Sequence, residues 1–356
     1  TSATYDFPEN VDAWAARLQY FLGGFQLSGE YAHIGENPSA LNSAIVPIPP
    51  ADNPAVGLFM PGRGLNINAS YSTKGFGVAL TASSLANMAF QSDRNAGTYD
   101  QWINYLPPTS VLQTYLLAQF YPYATQPNAE VAFRGDLFFS IPRNTALGGK
   151  YGMKIDLSVA RMHKPEITVL DDLGTSRTGA EIGLFNPSDE LYYSDFNIKL
   201  TKKFSSKFTG TLFYMNTVYD NDVMAGAYDY ANRGVSGKVY ADLVVAEGNI
   251  RFNRRHALRV EAQGLFTDQH LQDWVALVAE YTVSPHWFFS VVDQYNYGNA
   301  EGDDLHFPVG SVGYIKGPSR VSVSYGRQRA GVFCVGGVCR VVPASNGLTV
   351  SLSTSF

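Results

Sequence analysis

Charge is scarce in this chain. Only 16% of its 356 residues are Asp, Glu, Lys or Arg, against roughly a quarter in soluble domains. Twenty-six Lys and Arg against 31 Asp and Glu leave a net charge of -5, so no basic field marks a nucleic-acid binder. Cysteine is nearly absent, with two residues, Cys334 and Cys339, too few for a disulfide scaffold. Long apolar runs are missing as well, and the mean hydropathy is -0.10. Membrane-spanning helices, which need about 20 mostly apolar residues, are thereby excluded. A membrane barrel is not, because its strands alternate apolar and polar residues and average near zero hydropathy.

What the chain has in abundance is aromatic residues and glycine: 22 Tyr, 22 Phe, 4 Trp and 33 Gly, a composition that suits sheets better than helices. The dominant periodicity is two. Tyr151, Met153, Ile155, Leu157 and Val159 alternate with Gly152, Lys154, Asp156, Ser158 and Ala160. Leu348, Val350 and Leu352 alternate with Thr349, Ser351 and Ser353. Helical spacing near 3.6 is found in neither segment.

Extending this reading places fifteen strands near 12–21, 25–34, 63–72, 76–85, 130–141, 150–162, 191–203, 206–219, 235–253, 255–267, 272–283, 286–298, 306–316, 319–330 and 346–356. Soluble strands average about five or six residues, whereas crossing a bilayer takes about nine to eleven. Short links such as Gly23-Gly24, Ser284-Pro285 and Gly317-Pro318 alternate with long ones at 35–62, 86–129, 163–190 and 331–345. Short turns at one rim and long loops at the other are the transmembrane-barrel pattern. The fold class expected is therefore all-β: a transmembrane antiparallel up-and-down β-barrel of about 14–18 strands, with short periplasmic turns and long extracellular loops. It forms one domain over 1–356, and the 86–129 loop, with Val111–Phe120 inside it, is read as a plug or loop helix. Bacterial barrels have even strand numbers and periplasmic termini, so fifteen strands call for one more, upstream or miscounted.

The polar positions of these strands define an expected lumen lining. It comprises Arg17, Glu30, Arg134, Asp136, Lys154, Asp156, Asp195, Lys199, Lys238, Asp242, Arg259, Glu261 and Glu280. Both signs are mixed, so no selectivity ring of one charge emerges. Trp14, Tyr20, Tyr71, Phe76, Tyr192, Phe208, Trp287, Phe289, Tyr295 and Phe356 fall near strand ends, where membrane barrels carry aromatic girdles. In the first hairpin, Gly23-Gly24 suits a type I′ turn, which sets Arg17 opposite Glu30.

The candidates for chemistry are thin. His33, His163, His256, His270, His286 and His306 are scattered without metal-ligand spacing. Ser290 and His286 share a face, but neither a nucleophile elbow nor an oxyanion signature accompanies them. Asp220, Asp222, Glu301, Asp303 and Asp304 match no calcium-loop spacing. An enzyme, a metal and a cofactor are all unexpected. In contrast, Cys334-Val335-Gly336-Gly337-Val338-Cys339 reads as a two-residue hairpin. Its cysteines fall on a non-hydrogen-bonded pair about 4.5 Å apart at Cα, so a disulfide is expected in an extracellular hairpin.

With its alternating strands and a last strand running from Leu348 to Phe356, the chain resembles Gram-negative outer-membrane β-barrel proteins. The stretches Tyr121–Asn128 and Gly331–Arg340 are similar to those of a barrel family from Bacteroidota. The resemblance implies a C-terminal assembly signal at Leu352 and Phe356, read by the barrel-insertion machinery, and no catalytic residues. The expected location is the bacterial outer membrane. The expected partners are outer-membrane lipids, the insertion machinery and other outer-membrane proteins or lipoproteins, with no nucleic acid. The function expected is porin-like passage of small solutes, the alternative being a non-catalytic structural or scaffold subunit of a larger outer-membrane assembly.

Overall fold

The computed structural model describes residues 9–39, 58–88, 90, 92–93, 106–111, 113–169, 180–224, 237–270, 272–299, 305–335 and 338–354. In chain order the strands are β1 (Ala13–Leu22), β2 (Phe25–Ser39), β3 (Leu58–Thr73), β4 (Phe76–Ala86), β5 (Ala129–Ile141), β6 (Met153–Val169), β7 (Ala180–Lys203), β8 (Phe208–Asp220) and β9 (Lys238–Arg251). They continue with β10 (His256–Phe266), β11 (Trp274–Val283), β12 (Trp287–Asn296), β13 (Leu305–His306), β14 (Val309–Lys316), β15 (Ser319–Gln328), β16 (Gly331–Val335), β17 (Val338–Val342) and β18 (Ser345–Ser353). Helical structure among the described residues is a single α turn, α1 (Asn221–Met224), and a 3-10 turn at Leu117–Gln119.

All but β16 and β17 belong to one sixteen-stranded sheet. Sequential neighbours pair from β1 through β12, then β14, β15 and β18, with β13 beside β12. The fold class is all-β, up-and-down and antiparallel, as its period-2 pattern requires. The β1–β2 register sets Leu22 against Phe25 and Arg17 against Glu30. The turn differs in detail from expectation. Only Gly23 takes a positive φ, 57°, the pattern of a II′ rather than a I′ turn. Gly24 is needed for closeness instead, since a Cβ there would stand 2.3 Å from the Ser72 carbonyl oxygen.

Four strands outrun the sequence reading: β2 reaches Ser39 and β3 begins at Leu58, inside the stretch expected as a loop over 35–62, and β6 and β7 lengthen likewise. β6 extends to Val169 and β7 begins at Ala180, whereas alternation marks only 150–162 and 191–203. The reason is that polar side chains such as Lys164 and Glu190, which pair at 3.0 Å, replace the apolar face beyond those limits. Backbone pairing persists where hydropathy no longer alternates.

The chain divides into two compact units: Thr1–Ser110 with Tyr123–Asp136 and Val159–Ser194, and Val111–Pro122 with Leu137–Ser158 and Asp195–Phe356. In the second unit the two sheet faces are opposite in character to those of a soluble sandwich. Leu277 of β11 and Val291 of β12 are 61% and 64% exposed, and Leu348, Val350 and Leu352 of β18 are exposed as well. The alternate positions Ala276, Val278, Ser290, Val292, Gln294 and Asn296 are buried. Water-exposed apolar rows of this length are disfavoured in a soluble protein.

Candidate lumen-facing site

On the face of the second unit that buries Ser290, Val292 and Gln294, a polar row crosses six strands, from exposed Asn249 through buried Ser290 to half-buried Ser324. Antiparallel registers place Asn249 beside Arg259, Arg259 beside Glu280, Glu280 beside Ser290, Ser290 beside Ser311 and Ser311 beside Ser324. Period-2 alternation alone brings these residues to one face, with outward neighbours such as Val260 and Val291. Arg259 pairs closely with Glu261 on its own strand and reaches Glu280 at 3.9 Å. The neighbouring row sets Glu261 beside Glu247, so two carboxylates meet the guanidinium and a third stands next to one of them. The hydroxyls of Ser290 and Ser311 have no protein partner among the described residues. Buried polar groups left in this way are normally met by water.

Onto this face folds the segment 113–122. The backbone N–H of Leu117 donates to Gln263 Oε1 at 3.0 Å, and Gln263 Nε2 donates to Glu261 at 2.8 Å. Tyr115 donates its hydroxyl proton to Glu247 at 3.2 Å. Burial, then the nearby Glu247 and Glu261 charges, raise the Tyr115 hydroxyl well above its ordinary range. Leu116 packs into an apolar cluster with Val278, Phe288, Val292 and Val309. Phe120 meets Trp274 edge-on at 4.9 Å, and the Arg329 guanidinium stacks 3.6 Å above the Phe120 ring. Burial lowers Arg329 to about 10. The sequence leaves Val111–Phe120 open between a plug and a loop helix; among its described residues the helical structure is a single 3-10 turn, Leu117–Gln119. Contacts to β9–β12, rather than a local ladder, satisfy this stretch.

Polar side chains pair across the strands of the first unit as well. Arg17 and Glu30 lie 3.7 Å apart and are half exposed. Glu30 registers with Asn66, and Asn68 with Thr81, whose hydroxyl donates to Asn68 at 2.8 Å. Arg134 forks onto Asp136 with bonds of 2.7 and 2.6 Å and donates to the Thr109 carbonyl at 3.3 Å. Wholly buried Glu130 accepts from the Tyr123 hydroxyl and from the Gln126 N–H at 2.8 Å.

Of the other expected lining residues, Asp156 is half-buried and Lys154 exposed. Lys199 places its Nζ 5.7 Å over the Tyr115 ring. Asp195 is buried and accepts from Asn197 at 2.9 Å. Lys238 and Asp242 correct the sequence reading. They share the exposed face with Tyr240 and Val244, while Val239, Ala241, Leu243 and Val245 take the buried side. There the buried face is dry, packed beside Phe213 and Met215 of β8, so polar residues turn outward and Asp242 accepts from Tyr214 and Asn216 at 2.7 and 2.9 Å. Tyr192 is 4% exposed and so stands in the interior rather than in a girdle. Trp14, Tyr20, Tyr71, Phe208, Trp287 and Phe289 are exposed.

The described acidic loop residues cap backbone. Asp220 accepts from Val223 N and Asp222 from Gly237 N, each at 3.2 Å. Glu301, Asp303, Asp304 and Phe356 lie outside the described residues, and Leu352 is exposed in β18 opposite Val321. Register sets Cys334 directly opposite Cys339 and Val335 opposite Val338. Gly336 and Gly337 fall outside the described residues.

No curated protein matches the chain. Among solved structures it is similar to the ferric enterobactin receptor PfeA of Pseudomonas aeruginosa, with 11% identity and a TM-score of 0.41 over 97% of this chain and 57% of that one. It is also similar to the siderophore receptor PirA of Acinetobacter baumannii, with 10% identity and a TM-score of 0.37 over 97% of this chain and 54% of that one. The Ralstonia pickettii toluene transporter TbuX gives 10% identity and a TM-score of 0.25 over 89% and 76%. The chain spans about half the length of the two receptors. Over residues 1–356 the sequence matches one family model throughout, and the chain belongs to the family of unknown function DUF6029.

Proposed function

We propose that this chain is a bacterial outer-membrane β-barrel whose polar lumen passes small solutes, with segment 113–122 narrowing it. The supporting observation is the pairing of a polar row, Asn249 through Ser324, that shares its face with buried Ser290, Val292 and Gln294, with an exposed apolar row on the same strands. An aqueous interior and a lipid exterior stabilise that combination together. The resemblance to Bacteroidota barrels and the exposed last strand support insertion through β18. The protein is non-catalytic, and its surroundings are outer-membrane lipids and neighbouring outer-membrane proteins.

Planar-bilayer recording on the purified full chain tests the passage role. Discrete conductance steps are expected, larger when residues 113–121 are replaced by a Gly/Ser linker of equal length. Silence from both inserted forms would overturn passage. The dry cluster of Leu116, Val278, Phe288, Val292 and Val309 favours a second reading, a structural subunit held in a larger outer-membrane assembly. Co-purification of stoichiometric partners under mild detergent is its expected sign.

A further inference from the structure

The exposed apolar face of the first unit is interrupted by a groove of about 540 Å³. Ile67, Leu80, Phe133 and Val159 wall it. Its floor is open because position 135 is glycine. A Cβ at Gly135 would stand 3.5 Å from Leu80 Cδ2 and 3.6 Å from Val159 Cγ1, so any larger side chain fills the depression.

Two basic residues of β6, Arg161 and His163, also line this groove. Arg161 is exposed and follows Val159 on the apolar face, with buried Ala160 and Met162 on the other. His163 Nδ1 is tied to the Ser188 carbonyl at 3.0 Å. Arg161 has neither an ion-pair nor a hydrogen-bond partner among the described residues. An unpaired arginine on a lipid-facing strand is costly at the bilayer midplane and far less so at the interface. Arg161 is the ninth residue of β6, which starts at Met153 after the 142–152 link. A crossing takes about nine to eleven residues, so Arg161 stands at the far headgroup level, with the apolar groove at its foot.

We propose that this groove holds one acyl chain of a phosphate-bearing membrane lipid, whose phosphate is bound by the Arg161 guanidinium. The guanidinium fork matches phosphate oxygens and forms charge-assisted bonds with them. The groove supplies apolar burial for the chain, and the two recognition elements are one lipid's headgroup and tail in their natural order. The inference rests on the membrane reading above.

The test uses the full chain in maltoside micelles carrying dioleoyl phosphatidylglycerol, with bound lipid counted by native mass spectrometry. Compared are wild type, Arg161→Gln, Gly135→Leu and, as a control on an exposed turn, Arg255→Gln. Circular dichroism and heat-modifiable electrophoretic mobility verify that each folds. One retained lipid is expected for wild type and the control, with a loss of about tenfold in each groove variant and no displacement by inorganic phosphate. Equal retention in all four would overturn the proposal, as would a stable homodimer in place of bound lipid. Retention lost in Arg161→Gln but kept in Gly135→Leu, or displacement by free phosphate, would reduce the site to a phosphate contact and overturn the acyl groove. Flotation of the same preparation with phosphatidylglycerol vesicles separates the two readings, because failure to float sinks the membrane reading itself.

Discussion

The backbone N–H of Leu117 is bonded to the side-chain oxygen of Gln263, 146 residues away, at 3.0 Å. That one bond anchors the segment 113–122 to the buried face of β10. Gln263 in turn donates to Glu261, so the anchor is continuous with the charged row that includes Arg259.

Replacing Gln263 with Leu removes the acceptor and leaves a buried N–H without a partner. Such a loss costs about 1–3 kcal/mol. Faster amide exchange at Leu117 is the expected outcome, together with longer or larger open events in planar bilayers. Unchanged exchange would show that the apolar contacts of Leu116 hold the segment alone.

Leu277 is 61% exposed in the middle of β11. If it faces lipid at the bilayer midplane, Leu277→Arg destabilises the folded protein by about 2–4 kcal/mol. Reversible unfolding from phosphatidylcholine vesicles measures this directly. Native protein that stays in solution without detergent would contradict the lipid assignment.

The cysteines Cys334 and Cys339 face each other in the β16–β17 register. A disulfide between them is expected, and it closes a small loop, so its stabilisation falls at the low end of the range. Thiol labelling of unreduced, denatured protein should give no labels per chain. Two labels would mean that the bond is absent.

His270 adds a pH dependence. Partial desolvation of its ring, and then the positive charge of Arg329, lower the pKa of this exposed residue from the ordinary 6.5, and its ring lies 5.9 Å from that of Tyr121. The unfolded chain therefore binds the proton more readily than the folded one. Stability, and with it docking of the segment, falls as pH drops through 6.5 and levels off below the lowered folded value. His270→Gln should flatten that dependence in a thermal-melting series between about pH 7 and 4. A melting curve equally pH-dependent in the variant would assign the effect elsewhere.

The sequence by itself determined the strands, their antiparallel order and much of their register, because side-chain alternation has a period of two and a slip of one residue inverts a face. Leu22 against Phe25, Arg17 against Glu30 and Cys334 against Cys339 follow from turns of two residues. It also determined which faces carry Leu348, Val350 and Leu352 and which carry Arg259, Glu261 and Glu280. Tertiary structure decided what alternation cannot encode. Asp242 turns outward because Val239, Leu243 and Val245 fill a dry interior. Tyr192 is buried although it lies where a girdle was expected. Segment 113–122 is held in place by Gln263, Glu247 and Arg329, partners more than a hundred residues away that no local pattern announces. The groove at Gly135 arises where Leu80 and Val159 of other strands flank a missing side chain. Local periodicity fixes a strand's two faces, but contacts distant in sequence decide what each face meets.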